Sequence, residues 1–240
     1  MSASCPWDPG RSVHSLRPRP RRGSRAAYDG RVLLAIDTSA GTSVAVVDPA
    51  TRQVLAERST EDTRRHAEVI GPFLAEVLTS AGITPADVTG VVAGMGPGPF
   101  TGLRVGIAAA RTFAAARAVP LLPLVSHDAV AADVAATDPA DAGPFVVLTD
   151  ARRREVHWSV HDQAGTRTAG PGLAKPADLD DVLGASGAFR RVTAATVPAG
   201  RLGVLAADRL ASGASFAEDA PLYIREPDVT VPGAPKRVAR

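Results

Sequence analysis

From Val32 onward the chain alternates between short apolar runs and longer periodic stretches, and the two read as different elements. Val32 to Ile36 is continuously apolar and ends at Asp37, the pattern of a strand buried on both faces. A Thr38-Ser39-Ala40-Gly41 turn leads to a second strand, Thr42 to Val47. An Asp48-Pro49 turn then leads to a weaker third, Gln53 to Arg58. Three consecutive strands with short turns predict an antiparallel meander. The period changes next. Arg64 to Ala81 reads as a helix, whose apolar positions between Ala67 and Leu78 cover about 180° of arc, wider than the roughly 100° stripe of a surface helix. Pro72 should bend it, having no N–H for the carbonyl of Glu68, and Gly82 should stop it.

The Gly90 to Met95 strand runs into a Gly/Pro-dense turn and then a helix, with Thr101 as its N-cap and a span of about Gly102 to Arg117. Pro120 to Val125 is a further strand, and Ser126 caps a helix through about Ala136. The order over 32–136 is therefore βββαβαβα. The stretch from Thr137 to Pro144 is the best boundary. Beyond it Phe145 to Thr149 is a strand ending at Asp150, Glu155 to His161 a second, and Arg191 to Ala195 a third. Ala177 to Leu183 and Arg201 to Ala211 are helices. Each half opens on an apolar strand, an Asp, a turn and another strand, which points to an internal duplication.

At 240 residues and 45% hydrophobic the chain can bury a core, and no apolar run approaches a membrane span. The only cysteine is Cys5, which excludes a disulfide framework and a cysteine metal site, and fits a cytoplasmic location. The net charge of +2 conceals a split. Residues 1–31 hold seven Arg and two Asp, while the rest holds twenty Lys or Arg against twenty-three Asp or Glu. The Pro/Arg/Ser-rich extension 1–31 lacks apolar periodicity and is expected to be disordered. The abrupt onset of patterning suggests a translation start at Val32, which N-terminal mass spectrometry of the native protein would check.

Chemistry is sought first at Gly94-Met95-Gly96-Pro97-Gly98-Pro99-Phe100-Thr101-Gly102, where a strand, a glycine turn and a helix N-terminus meet. No Gly-Lys-Ser/Thr follows, the glycine spacing is not the dinucleotide fingerprint, and Pro97 and Pro99 remove two N–H donors. In the helix beyond, Gly102, Gly106, Ala110 and Ala114 recur every fourth residue and leave one face small. Arg104 and Arg111 fall within about 20° of each other. That small face suits burial either on its own sheet or under another protein chain. Asp37 and Asp150 resemble the paired acids of a metal-phosphate cleft, with Asp37, Thr38 and Ser39 as a vestigial nucleotide site. Asp150, however, is followed by Ala151-Arg152-Arg153-Arg154 instead of glycines. His66 lacks an i,i+4 partner because position 70 is Ile, so no metal pair forms on that helix. His157 is a second isolated polar candidate, and no Ser/His/Asp set is indicated by spacing.

Several segments together resemble the TsaB family. These are Val32-Leu33-Leu34-Ala35-Ile36-Asp37-Thr38-Ser39, His66-Ala67-Glu68 with Pro72, and Gly96-Pro97-Gly98-Pro99-Phe100-Thr101-Gly102-Leu103-Arg104. Asp150-Ala151-Arg152-Arg153 with Glu155-Val156, and Pro221-Leu222-Tyr223-Ile224-Arg225 with Pro227-Asp228, complete the set. The resemblance runs from Val32 to about Asp228, while the extension 1–31 and the region Gly184–Gly200 match little. It implies an α/β fold of two actin-like, RNase-H-like (ASKHA) lobes of βββαβα type, at 32–136 and 145–228, the second reduced, with a tail at 229–240. It implies a noncatalytic scaffold in bacterial tRNA threonylcarbamoyladenosine formation, which binds TsaD and helps recruit TsaE. The free subunit's self-association stays open, tRNA is met through the complex, and no membrane is involved. No cofactor is implied, with ATP or ADP only at an interface within the complex. The partner surface is expected on the two apolar helices, at His66, Val69, Ile70, Phe73, Leu74, Val77, Arg104, Ala108 and Arg111. The alternative is a stand-alone hydrolase of the same fold, metallopeptidase-like or acting on nucleotide phosphates.

Overall fold

The computed structural model describes residues 31–137, 143–184 and 189–225. The expectations for the extension 1–30, for linker residues 138–142, for 185–188 and for the chain from Glu226 lie outside the described residues.

The elements follow in the order β1 (Val32–Asp37), β2 (Thr42–Asp48), β3 (Gln53–Thr60), α1 (His66–Ala81), β4 (Val88–Gly94), α2 (Phe100–Arg117), β5 (Leu121–Leu124) and α3 (Ser126–Thr137). Then come β6 (Phe145–Asp150), β7 (Val156–His161), β8 (Arg167–Ala174), α4 (Leu179–Leu183), β9 (Arg190–Thr193) and α5 (Ala199–Ser212). Two sheets result, ordered β3-β2-β1-β4-β5 and β8-β7-β6-β9. In each, one inner strand pairs antiparallel with the strand after it and parallel with the strand beyond the next helix: β1 with β2 and β4, β6 with β7 and β9. Among the described residues the second sheet repeats the first without a counterpart of β5. This is the two-lobed α/β fold of βββαβα type, with the second copy reduced.

Both faces of the first sheet are covered, which is why its strands read as continuous apolar runs. On one face Leu34, Ile36, Val44 and Val46 pack with Ile70 and Val77 of α1 and Leu103 and Ile107 of α2. On the other, Leu33, Ala35 and Ala45 pack with Leu202 and Ala206 of α5 and with Phe145 and Val147 of the second sheet. The last helix of the chain thus completes the core of the first lobe. Its start is fixed by that lobe: the N–H of Ala199 donates to Ser43 Oγ at 3.2 Å, and that of Gly200 to Glu57 Oε1 at 3.0 Å. Two of the N–H groups that no helix can satisfy internally are thereby satisfied, and a carboxylate at a helix N-terminus is electrostatically favoured.

Three details depart from the sequence expectations. β8, which carries Gly170-Pro171-Gly172, is not among the expected strands; it stands at the sheet edge, where a proline costs no ladder bond. α2 begins at Phe100 with Pro99 at the N-cap, so Thr101 lies inside the first turn and caps nothing. α1 begins at His66, two residues after Arg64, and retains Pro72 inside it. Gly82 ends it in the left-handed conformation, φ 68°.

Candidate functional site

β1 delivers Asp37 to the middle of the first lobe, where it is 1% exposed. Its Oδ1 accepts the N–H of Ser39 at 2.7 Å and the hydroxyl of Ser39 at 2.6 Å. Its Oδ2 accepts the hydroxyl of Ser126 at 2.5 Å, and Ser126 Oγ in turn accepts the N–H of Gly96 at 3.0 Å. Ser126 therefore does not cap α3 as expected; it ties α3 to the end of β1 and to the glycine turn. Burial pushes the Asp37 carboxyl up from its ordinary value, against the opposing pull of the Ser126 and Ser39 bonds. A Cβ at Gly98 would stand 2.5 Å from the carbonyl of Ser39, so the glycine turn lies directly on the Ser39 turn.

Thr38 is used in the same way. Its hydroxyl donates to the carbonyl of Gly102 at 2.7 Å and accepts the N–H of Gly106 at 2.9 Å, inserting into the ladder of α2. A Cβ at Gly106 would fall inside that hydroxyl, and one at Gly102 would stand 2.8 Å from His66 Nε2. The small face Gly102, Gly106, Ala110 and Ala114 is therefore buried on the chain's own β1 turn and sheet. His66 sits beneath it, with Nδ1 2.7 Å from Thr42 Oγ1. Burial, and then the nearby Arg152, hold its imidazole below the usual range.

The expected partner surface divides. His66, Ile70 and Val77 point inward, Val77 fully, because they fill the space between α1 and the sheet; these three are corrected to core positions. Val69, Phe73 and Leu74 are half-buried on α1, Phe73 and Leu74 packing in part against the core, and Ala108 is exposed on α2. Arg104 and Arg111 are occupied by the chain's own closing segment. The Arg104 guanidinium lies 3.6 Å from the Phe100 ring centre, and its Nε donates to Tyr223 Oη at 2.9 Å. Arg111 pairs with Asp219 at 2.6 Å. The N–H of Ala217 donates to the carbonyl of Pro123 and that of Leu222 to the carbonyl of Met95, so this segment follows the end of the sheet.

The second acidic strand end is built differently. The Asp150 side chain is 66% exposed and accepts the N–H of Arg152 at 2.9 Å. Arg152, Arg153 and Arg154 all have left-handed backbones, φ 66°, 55° and 62°. The Arg152 guanidinium bonds to Thr63 just before α1, and Arg225 pairs with Glu155. His157 is 4% exposed, burial holds it at about 4, and its Nδ1 has no partner among the described residues. No three His, Cys, Asp or Glu among the described residues are placed to hold a metal ion. A cavity of about 450 Å³ opens at the other end of the first sheet's strands, lined by Leu33, Gly90, Pro120, Leu122, Ala207 and Leu210 with few polar neighbours. No described helix is long and apolar enough to cross a membrane.

The TsaD family, described as tRNA N6-adenosine threonylcarbamoyltransferase, matches residues 53–217. An uncharacterised protein of Mycobacterium tuberculosis is 36% identical over 82% of this chain and 92% of its own length. A tRNA N6-adenosine threonylcarbamoyltransferase of Streptococcus pneumoniae is 40% identical, over 40% of this chain and 33% of that enzyme. Among solved structures, a Pseudomonas aeruginosa protein described as similar to the peptidase YeaZ superposes with a TM-score of 0.65. That match has 24% identity and covers 81% of this chain and all of the other.

Proposed function

The chain belongs to the TsaD family and is a TsaB-like protein within it, and from that premise we propose that it is the noncatalytic scaffold subunit of a complex forming threonylcarbamoyladenosine on tRNA. In this role it binds TsaD, helps recruit TsaE, meets tRNA through the complex and acts in the cytoplasm. The observation that supports this most is the fate of Asp37. A group that binds phosphate or moves protons needs an accessible lone pair, and the Asp37 carboxyl is buried under three donors from Ser39 and Ser126. The outer flank of α1 and α2, with Val69, Phe73, Leu74 and Ala108, is the surface offered to TsaD.

Size-exclusion chromatography with light scattering, on the full chain mixed with TsaD of the same organism, tests the reading. The expected result is a new peak at the heterodimer mass, lost in Val69→Glu, Phe73→Glu and Ala108→Arg while each variant stays folded by circular dichroism. Two unshifted peaks at micromolar concentration and low salt would remove the partner. Variants that still bind would move the interface elsewhere. Asp37→Asn separates the scaffold from a stand-alone hydrolase built on that acid, since only the hydrolase would lose its activity.

A further inference from the structure

α3 carries one side chain that none of these roles uses. His127 is 0% exposed, and both its ring nitrogens reach the second sheet. Nδ1 lies 2.7 Å from Ser159 Oγ on β7, and Nε2 3.0 Å from Thr149 Oγ1 on β6. Ser159 Oγ is also 3.0 Å from His161 Nε2, and His161 Nδ1 is 3.1 Å from the carbonyl of Gly165. His157, Ser159 and His161 alternate along β7, so they share one face of the pleat, and all three are buried.

The Gly165 carbonyl fixes every proton in this chain of bonds. A carbonyl only accepts, so His161 holds its proton on Nδ1. Its Nε2 is then a lone pair and takes the hydrogen of Ser159. Ser159 Oγ accepts in turn from His127, which must hold its proton on Nδ1. His127 Nε2 accepts from Thr149. With both rings neutral every group is satisfied. A proton added at His161 Nε2 gives Ser159 Oγ two donors and leaves its hydrogen without an acceptor. A proton added at His127 Nε2 turns the Thr149 hydrogen away.

Asp128 and Asp162 favour a charge on His161, but burial outweighs them and both are engaged elsewhere. Asp128, beside His127 on α3, is paired with Arg167 of β8 at 2.9 Å and Arg209 of α5 at 3.6 Å. Asp133 of α3 pairs with Arg201 of α5. Asp162 accepts the N–H groups of Ala164 and Thr166 in the turn after β7. Asp150, near His157, is mostly exposed. Burial, then His157, His161 and Arg167, hold His127 well below the ordinary imidazole range, and His161 is lowered by burial as well.

We propose that this wire is a proton-sensitive pin: neutral, it clamps α3 to β6 and β7, and its protonation in mild acid parts the second sheet from α3 while the first sheet stays folded. The inference goes beyond the scaffold reading, since neither TsaD nor tRNA enters it.

Nitrogen NMR of the histidine rings in the full chain reads the first half directly. His127 and His161 should both carry the Nδ1 proton at pH 7.5, and His127 should stay neutral to pH 5 in the folded protein. Amide hydrogen exchange, corrected for intrinsic rates, reads the second half. An exposed His titrates near 6.5, so opening a site that excludes the proton becomes about thirtyfold easier at pH 5.0 than at pH 7.5. Protection in 126–137 and 145–161 should therefore fall at least about thirtyfold, with little change in β1, α1 and α2. His127→Gln, which keeps a donor and an acceptor but cannot charge, should lose about that factor. An Nε2 proton on His127, titration near 6.5 while folded, equal loss of protection in both sheets, or an unaltered pH response in His127→Gln would overturn the proposal. Should the variant not fold, the tautomer and titration of the unmodified chain decide alone.

Discussion

β1 and β6 occupy the same place in their sheets, antiparallel to the next strand and parallel to the one beyond the helix, and each ends in an aspartate. Asp37 is 1% exposed and holds three donors; the Asp150 side chain is 66% exposed and holds the backbone N–H of Arg152, with the Arg152 guanidinium 3.6 Å away. A phosphate site needs both an acid with free lone pairs and a glycine-rich backbone whose N–H groups face the ligand. The first lobe keeps the glycines and has spent the acid. The second leaves the acid exposed but paired with Arg152, and has three arginines where the glycines would stand. The same topology thus ends in two different surroundings, a buried, closed-over carboxyl in one lobe and an exposed one beside a turn of three left-handed arginines in the other.

The largest way to break that comparison is to remove the acid at the closed end. Asp37→Ala leaves the Ser39 N–H, the Ser39 hydroxyl and the Ser126 hydroxyl without their acceptor, and should cost about 3–5 kcal/mol in denaturant unfolding at pH 7. Asp37→Asn should cost no more than about 1 kcal/mol, because an amide keeps one acceptor and can donate to Ser126 Oγ. The sign of the pH term agrees. A carboxyl whose folded pKa is raised contributes stability that is full below the unfolded value of 3.8 and lost as pH rises through the folded value. The carboxyl therefore contributes less stability at pH 7 than in acid, a dependence that the non-titrating Asn removes. Equal losses in the two variants would show that the charge itself is needed. Asp150→Ala, at the open end, is the control and should stay within about 0.5 kcal/mol.

Thr38→Val sharpens the same contrast at smaller scale. The methyl cannot bridge Gly102 and Gly106, so α2 loses a hydroxyl from its ladder, at a cost of about 1–2 kcal/mol by the same unfolding measurement. A loss under about 0.5 kcal/mol would mean that the helix recloses its own bond and that Thr38 only fills space.

How far the sequence reveals this site depends on how far apart the partners lie. β1, β2 and β3, the meander and the end of α1 at Gly82 follow from local pattern: apolar runs, short turns and a left-handed stop. Asp37 and Thr38 stood out as an acidic strand end. Their partners did not, because Ser126 is 89 residues away and Gly102 and Gly106 are 64 and 68. Arg104 and Arg111 read as the rim of a partner surface for the same reason, since Tyr223 and Asp219 lie 119 and 108 residues on. His127 and His161 carry a fainter mark in the sequence. The available signal was the alternation His157, Ser159, His161 on one strand face, three polar residues where a half-buried strand should turn apolar side chains inward.

The smallest prediction concerns the open end. A left-handed backbone costs a non-glycine residue about 1–2 kcal/mol, and glycine in its place gives back about 0.5–1 kcal/mol through the entropy of the unfolded chain. Arg154→Gly, at φ 62°, should therefore stabilise the protein by about 0.5–1 kcal/mol, a rise in Tm of about 1–4 °C for a domain of this size. Differential scanning calorimetry at fixed pH and salt reads it. A rise means that the second lobe keeps a strained arginine at its acidic strand end for a reason other than stability, as partner-facing turns do. A fall means that the arginine side chains more than offset the backbone cost. The turn then acts as a lock on the first lobe, working with the Arg152 bond to Thr63 and the Arg225 pair with Glu155. In that case the open end is as structural as the closed one, and the two lobes differ only in which atoms hold them shut.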